Sequence, residues 1–330
     1  MELRALGNSG INAPAIGLGT WAIGGWSWGG TDVADSIAAI QAALDAGMNL
    51  IDTAPIYGMG VSEEIVGKAL VGRRDQAVLA TKCGLRWDDT YGEFVFNDGT
   101  YDIYRNLSPA GIQLEVENSL KRLQTDVIDL YQTHWQEQVT PLEDVMETLF
   151  NLVDAGKIRA IGVSNVTPEI LARYQSLGPI ASIQEKYSMV DRVHIKDGLI
   201  PAALAGEVAT LAYSPLDMGL LTGKIGPERT FDDGDMRKDN PRFSVESRTQ
   251  VANLLVKFEG FAADLGCTMA QLVIAWTTHV PGITHVLCGA RNPQQAIENA
   301  EAGALKLSES VIAEIAQIVE ADDIELPQPW

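Results

Sequence analysis

Short apolar runs alternate with amphipathic stretches along most of this chain. The apolar runs are "APAIGLGT", "NLIDTA", "QAVLATK", "DVIDLYQTH", "IRAIGVSN", "ASIQEKY", "VATLAYSPL" and "THVLCGAR". Each is nearly continuous in Val, Ile, Leu and Ala, the pattern of a parallel strand covered on both faces. Between them lie segments of helical period. "DVADSIAAIQAALDAG" puts Ile37, Ile40 and Leu44 on one face and stops at Gly47. "SPAGIQLEVENSLKRL" opens on a Ser-Pro capping signal and carries Ile112, Val116 and Leu120 on one side. "TPEILARYQSLG" repeats the same cap-and-stop grammar. Eight strand–helix alternations without a linker predict a single α/β domain over residues 1–330, a (β/α)8 TIM barrel. A small N-terminal β-hairpin precedes it, turning at Gly7–Gly10. A doubly wound sheet is the other α/β arrangement. It would need a Gly-x-Gly-x-x-Gly turn after the first strand, and Gly17 and Gly19 have the wrong spacing.

Two connections are too long for simple turns: Gly84 to about Leu107 after strand three, and about Asp217 to Phe243 after strand seven. Both leave the C-terminal end of a strand, the face on which barrels build their active sites. The second is rich in Gly, Asp and Arg and reads as a mobile flap or a disordered loop.

Charge and cysteine usage narrow the partners. The formal net charge of −20 opposes nucleic acid and anionic membranes, both of which attract a positive field. No apolar run approaches the ~18 residues of a membrane span, and the N-terminus has no signal-peptide pattern. Three scattered cysteines, Cys83, Cys267 and Cys288, predict reduced thiols and a cytoplasmic setting.

The barrel reading places four ionisable side chains at one rim. Asp52 ends strand two, Tyr57 follows in its loop, Lys82 ends strand three and His134 ends strand four. Each alone has an ordinary structural role as cap, solvated cation or satisfied polar group. Together they form a proton-transfer set. A phenol is a weak acid near neutral pH, and an ammonium beside it stabilises the phenolate. Lys82 is expected to tune Tyr57, Asp52 to hold Lys82, and His134 to orient a carbonyl. No histidine pair or carboxylate cluster accompanies His134, so no metal is expected.

These residues resemble the catalytic tetrad of the aldo-keto reductases. "GLGTWAIGG", "IDTAPIYGMGVSEEIVGKAL", "LATK", "SLKRLQTDVIDLYQTHW", "AGKIRAIGVSN", "LAYSPLDMGLLTGK" and "GARNPQQAIENA" look like that family's signatures in family order, across nearly the whole chain. "WSWGGTD" and "GARNP" look most like the bacterial stress-type branch related to potassium-channel beta subunits. Two positions depart from the family pattern: "EKYS" follows Gln184, and "WQ" follows His134.

The resemblance implies a reversible NADPH-dependent reduction of aldehydes and ketones to alcohols, with Tyr57 as general acid. It implies a nicotinamide cofactor, NADP(H) in preference to NAD(H). Gly19, Thr20 and Trp21 would stand at its reactive end, with Ser164, Asn165 and Gln184 on the carboxamide and Tyr213 stacked on the ring. Ser214, Leu216, Gly219 and Lys224 would hold the pyrophosphate. Gly289, Arg291, Gln295 and Asn299 would hold the adenosine part, with Arg291 on the 2′-phosphate. An Arg291–Glu298 salt bridge is the structural alternative there.

Trp21, Trp26, Trp28, Trp87 and Trp135 follow strand ends; Trp21, Trp26, Trp87 and Trp135 are the expected substrate wall. Arg86, Asp88, Asp89, Asn97 and Asp98 in the first long loop would suit a sugar, which leaves a sugar or polyol dehydrogenase as the near alternative. A redox-sensing subunit is a reading from another class, disfavoured by a chain that starts directly at the hairpin. A metal-dependent sugar isomerase on the same barrel lacks the ligands. Oligomeric state and the role of the tail "IELPQPW" stay open.

Overall fold

In a computed structural model, which describes residues 1–328, all eight anticipated strands form one closed parallel barrel. The chain opens with an antiparallel hairpin, β1 (Leu3–Ala5) and β2 (Asn12–Pro14). Then follow β3 (Ile16–Gly19), α1 (Val33–Asp45), β4 (Leu50–Asp52), α2 (Val61–Ala69) and β5 (Val78–Cys83). The first long connection holds β6 (Leu85–Arg86), β7 (Glu93–Asn97) and β8 (Asp102–Arg105), and leads to α3 (Pro109–Leu123). The middle of the barrel is β9 (Ile128–Thr133), α4 (Leu142–Asp154), β10 (Ile158–Ser164), α5 (Pro168–Leu177) and β11 (Ser182–Lys186). After α6 (Val193–Lys196), α7 (Leu199–Ala205) and β12 (Ala209–Tyr213) comes the second long connection, then α8 (Val245–Val256), α9 (Glu259–Leu265) and α10 (Met269–Thr277). The last strand, β13 (His285–Gly289), is followed by α11 (Pro293–Glu301) and α12 (Glu309–Asp322). The barrel order is β3-β4-β5-β9-β10-β11-β12-β13, closing back on β3.

The capping signals sit where the sequence placed them. Ser108 and Thr167 accept from the backbone N–H three residues on, and proline occupies the first turn of α3 and α5. Alternation along the strands then sorts the interior. Leu50, Ala80, Leu130, Leu211 and Leu287 fill the lower barrel, and Leu6, Ile11 and Ala13 of the hairpin join the same cluster. The hairpin is thus a plug under the barrel. It fits closely: Gly7 has φ +54°, and a Cβ there would fall 2.1 Å from the Ala181 carbonyl oxygen. The outer faces of the strands meet the helices in the larger core, through Ile16, Leu18, Ile51, Leu79, Tyr131 and Ile161 among others.

The two long connections differ from the expectation of plain loops. The first is a three-stranded antiparallel sheet, ordered β6-β8-β7, with an irregularity between Phe94 and Phe96 that breaks the alternation at Val95. The second is anchored at several points. It lies along the segment after β3, with Gly29 N–H donating to the Gly234 carbonyl (3.1 Å) and Met236 N–H to Ser27 (3.0 Å). Arg237 stacks over the Trp28 ring at 5.0 Å and donates to the Met218 carbonyl.

The roots of that connection are held by a buried ionic cluster. Arg242, fully buried, donates through Nε to both Asp217 oxygens at 2.9 and 2.8 Å. Its Nη2 reaches Asp191 at 3.3 Å, and Lys186 Nζ donates to the same aspartate at 2.5 Å. Its Nη1 donates to the Pro327 carbonyl at 2.9 Å, so the C-terminal tail docks on the same guanidinium; Pro329 and Trp330 lie outside the described residues. Among the described residues no helix is long and apolar enough to cross a membrane.

Removing one member of a buried ionic set leaves the others uncompensated. Arg242→Met is therefore expected to cost about 3–5 kcal/mol of stability, measured by urea unfolding. Adding Asp217→Asn is expected to give a total below the sum of the single changes, because the two groups are in direct contact.

Candidate active site

The candidate site residues come from the upper, polar layer of the same alternating pattern. Asp52, Lys82, Gln132 and Gln184 each stand two residues above an apolar or small interior position, and all four are buried. Lys82 Nζ donates to Asp52 Oδ1 at 2.7 Å, to the Thr53 carbonyl at 2.8 Å and to the Tyr57 hydroxyl at 3.2 Å. The other Asp52 oxygen accepts from Gln184 at 2.7 Å and Gln132 at 3.3 Å. Three ammonium protons thus have three acceptors, and the carboxylate is bonded at both oxygens. The Tyr57 ring meets the His134 ring edge-on, with centroids 5.9 Å apart. All four members of the expected set converge.

The electrostatics differ from the expectation in one respect. Burial works against the Lys82 ammonium, but Asp52 and Tyr57 beside it outweigh this and raise its pKa above the ordinary 10.5. Burial also raises the Tyr57 phenol above 10.0; Lys82 opposes that rise without cancelling it. The expected lowering of the phenol does not occur. Tyr57 is a firmly protonated donor at neutral pH, and Lys82 limits how far its pKa climbs. Burial, with Lys82 nearby, pushes His134 well below 6.5, so its imidazole is neutral. Its Nδ1 is buried without a hydrogen-bond partner among the described residues.

Asp52, Tyr57, His134 and Gln184 floor a cavity of about 1140 Å³, with Lys82 just beneath it. It is larger than the ~300–1,000 Å³ of ordinary small-molecule sites. It runs from Trp26, Phe96 and Trp135 at one end, over Tyr57 and His134, to Arg291, Gln295 and Asn299 at the start of α11. Gly19 and Gly289 are paired across β3 and β13, and both line the cavity. A Cβ on either would meet no protein atom closer than 3.9 Å, so packing does not require glycine there, while an extended ligand pressed on the strands would. The segment after β12 turns through positive φ at Ser214, Asp217, Met218 and Gly219, giving a concave stretch of backbone. A dinucleotide fits this shape.

Every expected cofactor residue lines the cavity: Gly19, Thr20, Trp21, Ser164, Asn165, Gln184, Tyr213, Ser214, Leu216, Gly219, Lys224, Gly289, Arg291, Gln295 and Asn299. Several are engaged differently from the expectation. Gln184 does not end its strand, which continues to Lys186, and its amide nitrogen is committed to Asp52. Ser164 donates to the Gln184 carbonyl at 2.6 Å. Asn165 donates to the His134 carbonyl and accepts from the Tyr213 hydroxyl at 2.9 Å. Arg291 makes no salt bridge to Glu298; its guanidinium donates to the Trp28 and Gly30 carbonyls at 3.1 and 2.8 Å, and Glu298 instead faces Lys224 at 3.5 Å.

The substrate wall also needs correcting. Trp21, Trp26 and Trp135 line the cavity, and Trp87 does not; it packs against Ile56, Leu85 and Ile103. Its place is taken by Ile56, Leu85, Val95, Phe96 and Arg105, none singled out by sequence. The break in alternation at Val95 explains how two consecutive residues, Val95 and Phe96, both reach the cavity. Phe96 stacks on Trp26 at 6.1 Å. The polar residues that favoured a polyol are used internally. Arg86 pairs with Asp88 and Asp89, Asn97 bonds Asp102, and Asp98 caps the turn at Thr100 and Tyr101. Gln132 was also missed, although it precedes His134 by two residues and so shares its face.

The model of the aldo/keto reductase family matches residues 15–320. This chain belongs to that family. It is 44% identical to the aldo-keto reductase YhdN of Bacillus subtilis (strain 168), over 89% of this chain and 86% of that one. It is 38% identical to the NADH-specific methylglyoxal reductase of Escherichia coli (strain K12), over 97% and 99%. Among solved structures, the glycerol dehydrogenase AKR11B4 from Gluconobacter oxydans superposes with a TM-score of 0.87 at 36% identity, covering 99% of this chain and 98% of that one. The chain is an NAD(P)H-dependent oxidoreductase acting on carbonyl groups.

The directions of these shifts set the pH behaviour. His134 is already neutral well below 6.5, and Tyr57 keeps its proton until above 10.0. With Tyr57 as the proton donor, the kcat of carbonyl reduction is expected to be level through neutral pH, with no break near 6.5, and to fall only above 10.0 as the phenol ionises. A pH–rate profile under saturating substrate checks this.

Proposed function

We propose that this protein reduces aldehydes and ketones with NADPH, with Tyr57 as the general acid. The observation that carries the reading is Lys82 Nζ, held between Asp52 Oδ1 and the Tyr57 hydroxyl at the floor of a dinucleotide-sized cavity. A nicotinamide cofactor held in this cavity would supply the hydride to the carbonyl carbon. The chain's residues supply the rest. Tyr57 donates its proton to the carbonyl oxygen, and Lys82 lowers the cost of the resulting phenolate. Asp52, fixed by Gln184, keeps Lys82 charged and aimed. The neutral His134 donates one N–H to the same oxygen and orients the carbonyl. Trp21, Trp26, Phe96 and Trp135 shield the site from water.

NADP(H) is the preferred cofactor in this proposal, with NAD(H) usable. Lys224, Arg229, Arg237 and Arg291 line the far part of the cavity in a chain whose net charge is −20, a local positive field suited to a phosphorylated ligand.

Tyr57→Phe is expected to lower kcat by about 100- to 10,000-fold with cofactor affinity retained, followed as loss of NADPH absorbance with a panel of aldehydes. A variant as active as the wild type would overturn the assignment of the acid. Arg291→Gln is expected to raise KM for NADPH more than KM for NADH. Equal effects on the two would remove Arg291 from the preference.

A further inference from the structure

Arg105 is an unusual arginine. It sits on β8, the central strand of the small sheet, and lines the substrate end of the cavity. Its guanidinium carbon stands 5.2 Å from the centre of the Trp135 ring, and Trp135 directly follows His134. A guanidinium carries five N–H donors, yet the Arg105 side chain makes no hydrogen bond to any described residue. Among the described residues its one ion pair is with Glu93, Nη1 to Oε1 at 3.6 Å, outside hydrogen-bond range. Glu93 is itself 45% exposed, which makes that attraction weak. The Arg105 side chain is only 25% exposed, and its Nε is buried with no partner. Of the other cavity arginines, Arg237 is committed to Asp235 and Arg291 to backbone carbonyls, and Arg229, at the far end, is exposed to solvent.

A largely buried cation with unused donors, in an otherwise apolar wall, is costly unless an acceptor fills it. Its cross-strand partner Leu85 and the Trp135 ring offer none, and the other residues named at this end of the cavity, Trp26, Val95 and Phe96, are apolar. The Trp135 ring holds the guanidinium at the cavity wall by a cation–π contact, and its N–H donors suit a planar, two-oxygen acceptor. We propose that Arg105 is the specificity-determining residue of the substrate end, and that it selects carbonyl compounds bearing a carboxylate. Such a substrate has its carbonyl between Tyr57 and His134 and its carboxylate on Arg105, with the apolar linker against the aromatic wall. This rests on the carbonyl-reductase reading and names its substrate class.

The test compares 4-carboxybenzaldehyde with its methyl ester, and a series of semialdehydes of increasing chain length with the matching neutral aldehydes, by NADPH oxidation. The wild type is expected to favour the carboxylates in kcat/KM. In Arg105→Met, which keeps an apolar stem over Trp135 but no donor, the acid-to-ester ratio is expected to fall by about 10- to 100-fold, the strength of a charge-assisted contact, and to do so through KM. Arg105→Lys is expected to restore part of the ratio. Glu93→Gln, which removes the competing carboxylate, is expected to raise it. A wild type that reduces ester and acid equally would overturn the inference while leaving the reductase reading intact. So would an Arg105→Met variant that loses both substrates in proportion, the mark of a purely structural role. A wild type inactive on every aldehyde, with either nicotinamide, would instead overturn the reductase reading.

Discussion

The structure depends on one buried cation. Lys82 is wholly enclosed at the top of the barrel, where an unpaired ammonium would cost several kcal/mol. Its three protons are met by Asp52, the Thr53 carbonyl and the Tyr57 hydroxyl, and its charge is met by Asp52. That requirement shapes the layer around it. Asp52 must stay ionised, so Gln184 and Gln132 donate to its second oxygen. Tyr57 must lie within reach, so the turn after β4 is tied down by further bonds, with Ser62 donating to Thr20 and bonded to Thr53. Beneath this layer the barrel is filled with leucine and alanine, which give no second place for a charge.

The same cation accounts for the division of labour at the site. Burial raises the phenol and lowers the imidazole, so Tyr57 keeps its proton and His134 stays neutral. Both effects are desolvation. Lys82 acts on the two in the same electrostatic sense, favouring the phenolate and disfavouring the imidazolium. A single positive charge therefore opposes the rise of the phenol and adds to the lowering of the imidazole, the electrostatics that the proposed roles of Tyr57 and His134 call for.

A second set of charges holds the far side of the cavity. Arg242 clamps Asp217, beside the positive-φ turn after β12, and the C-terminal tail at Pro327. Gly29–Gly234 and Ser27–Met236 then join the two loops above the groove. In this acidic chain, at −20, Lys224, Arg229, Arg237 and Arg291 line the far part of that cavity.

The barrel, and the convergence of polar side chains at its rim, were legible in the chain alone. Eight apolar runs in alternation with capped helices permit one closed parallel sheet, and a period of two along each strand carries Asp52, Lys82 and His134 to the same rim. These are local patterns, and local patterns survive in one dimension. The substrate wall was decided by tertiary structure. Trp87 and Phe96 look alike as aromatics in one long connection, but a three-stranded sheet with a break at Val95 turns Phe96 and Arg105 into the cavity and leaves Trp87 outside it. The pairing of Arg86 with Asp88 and Asp89, and the freedom of Arg105, depend equally on which strand lies in the middle of that sheet. The direction of the Tyr57 shift also depends on the fold, because desolvation is set by what surrounds a group in space, and its neighbours along the chain do not report it.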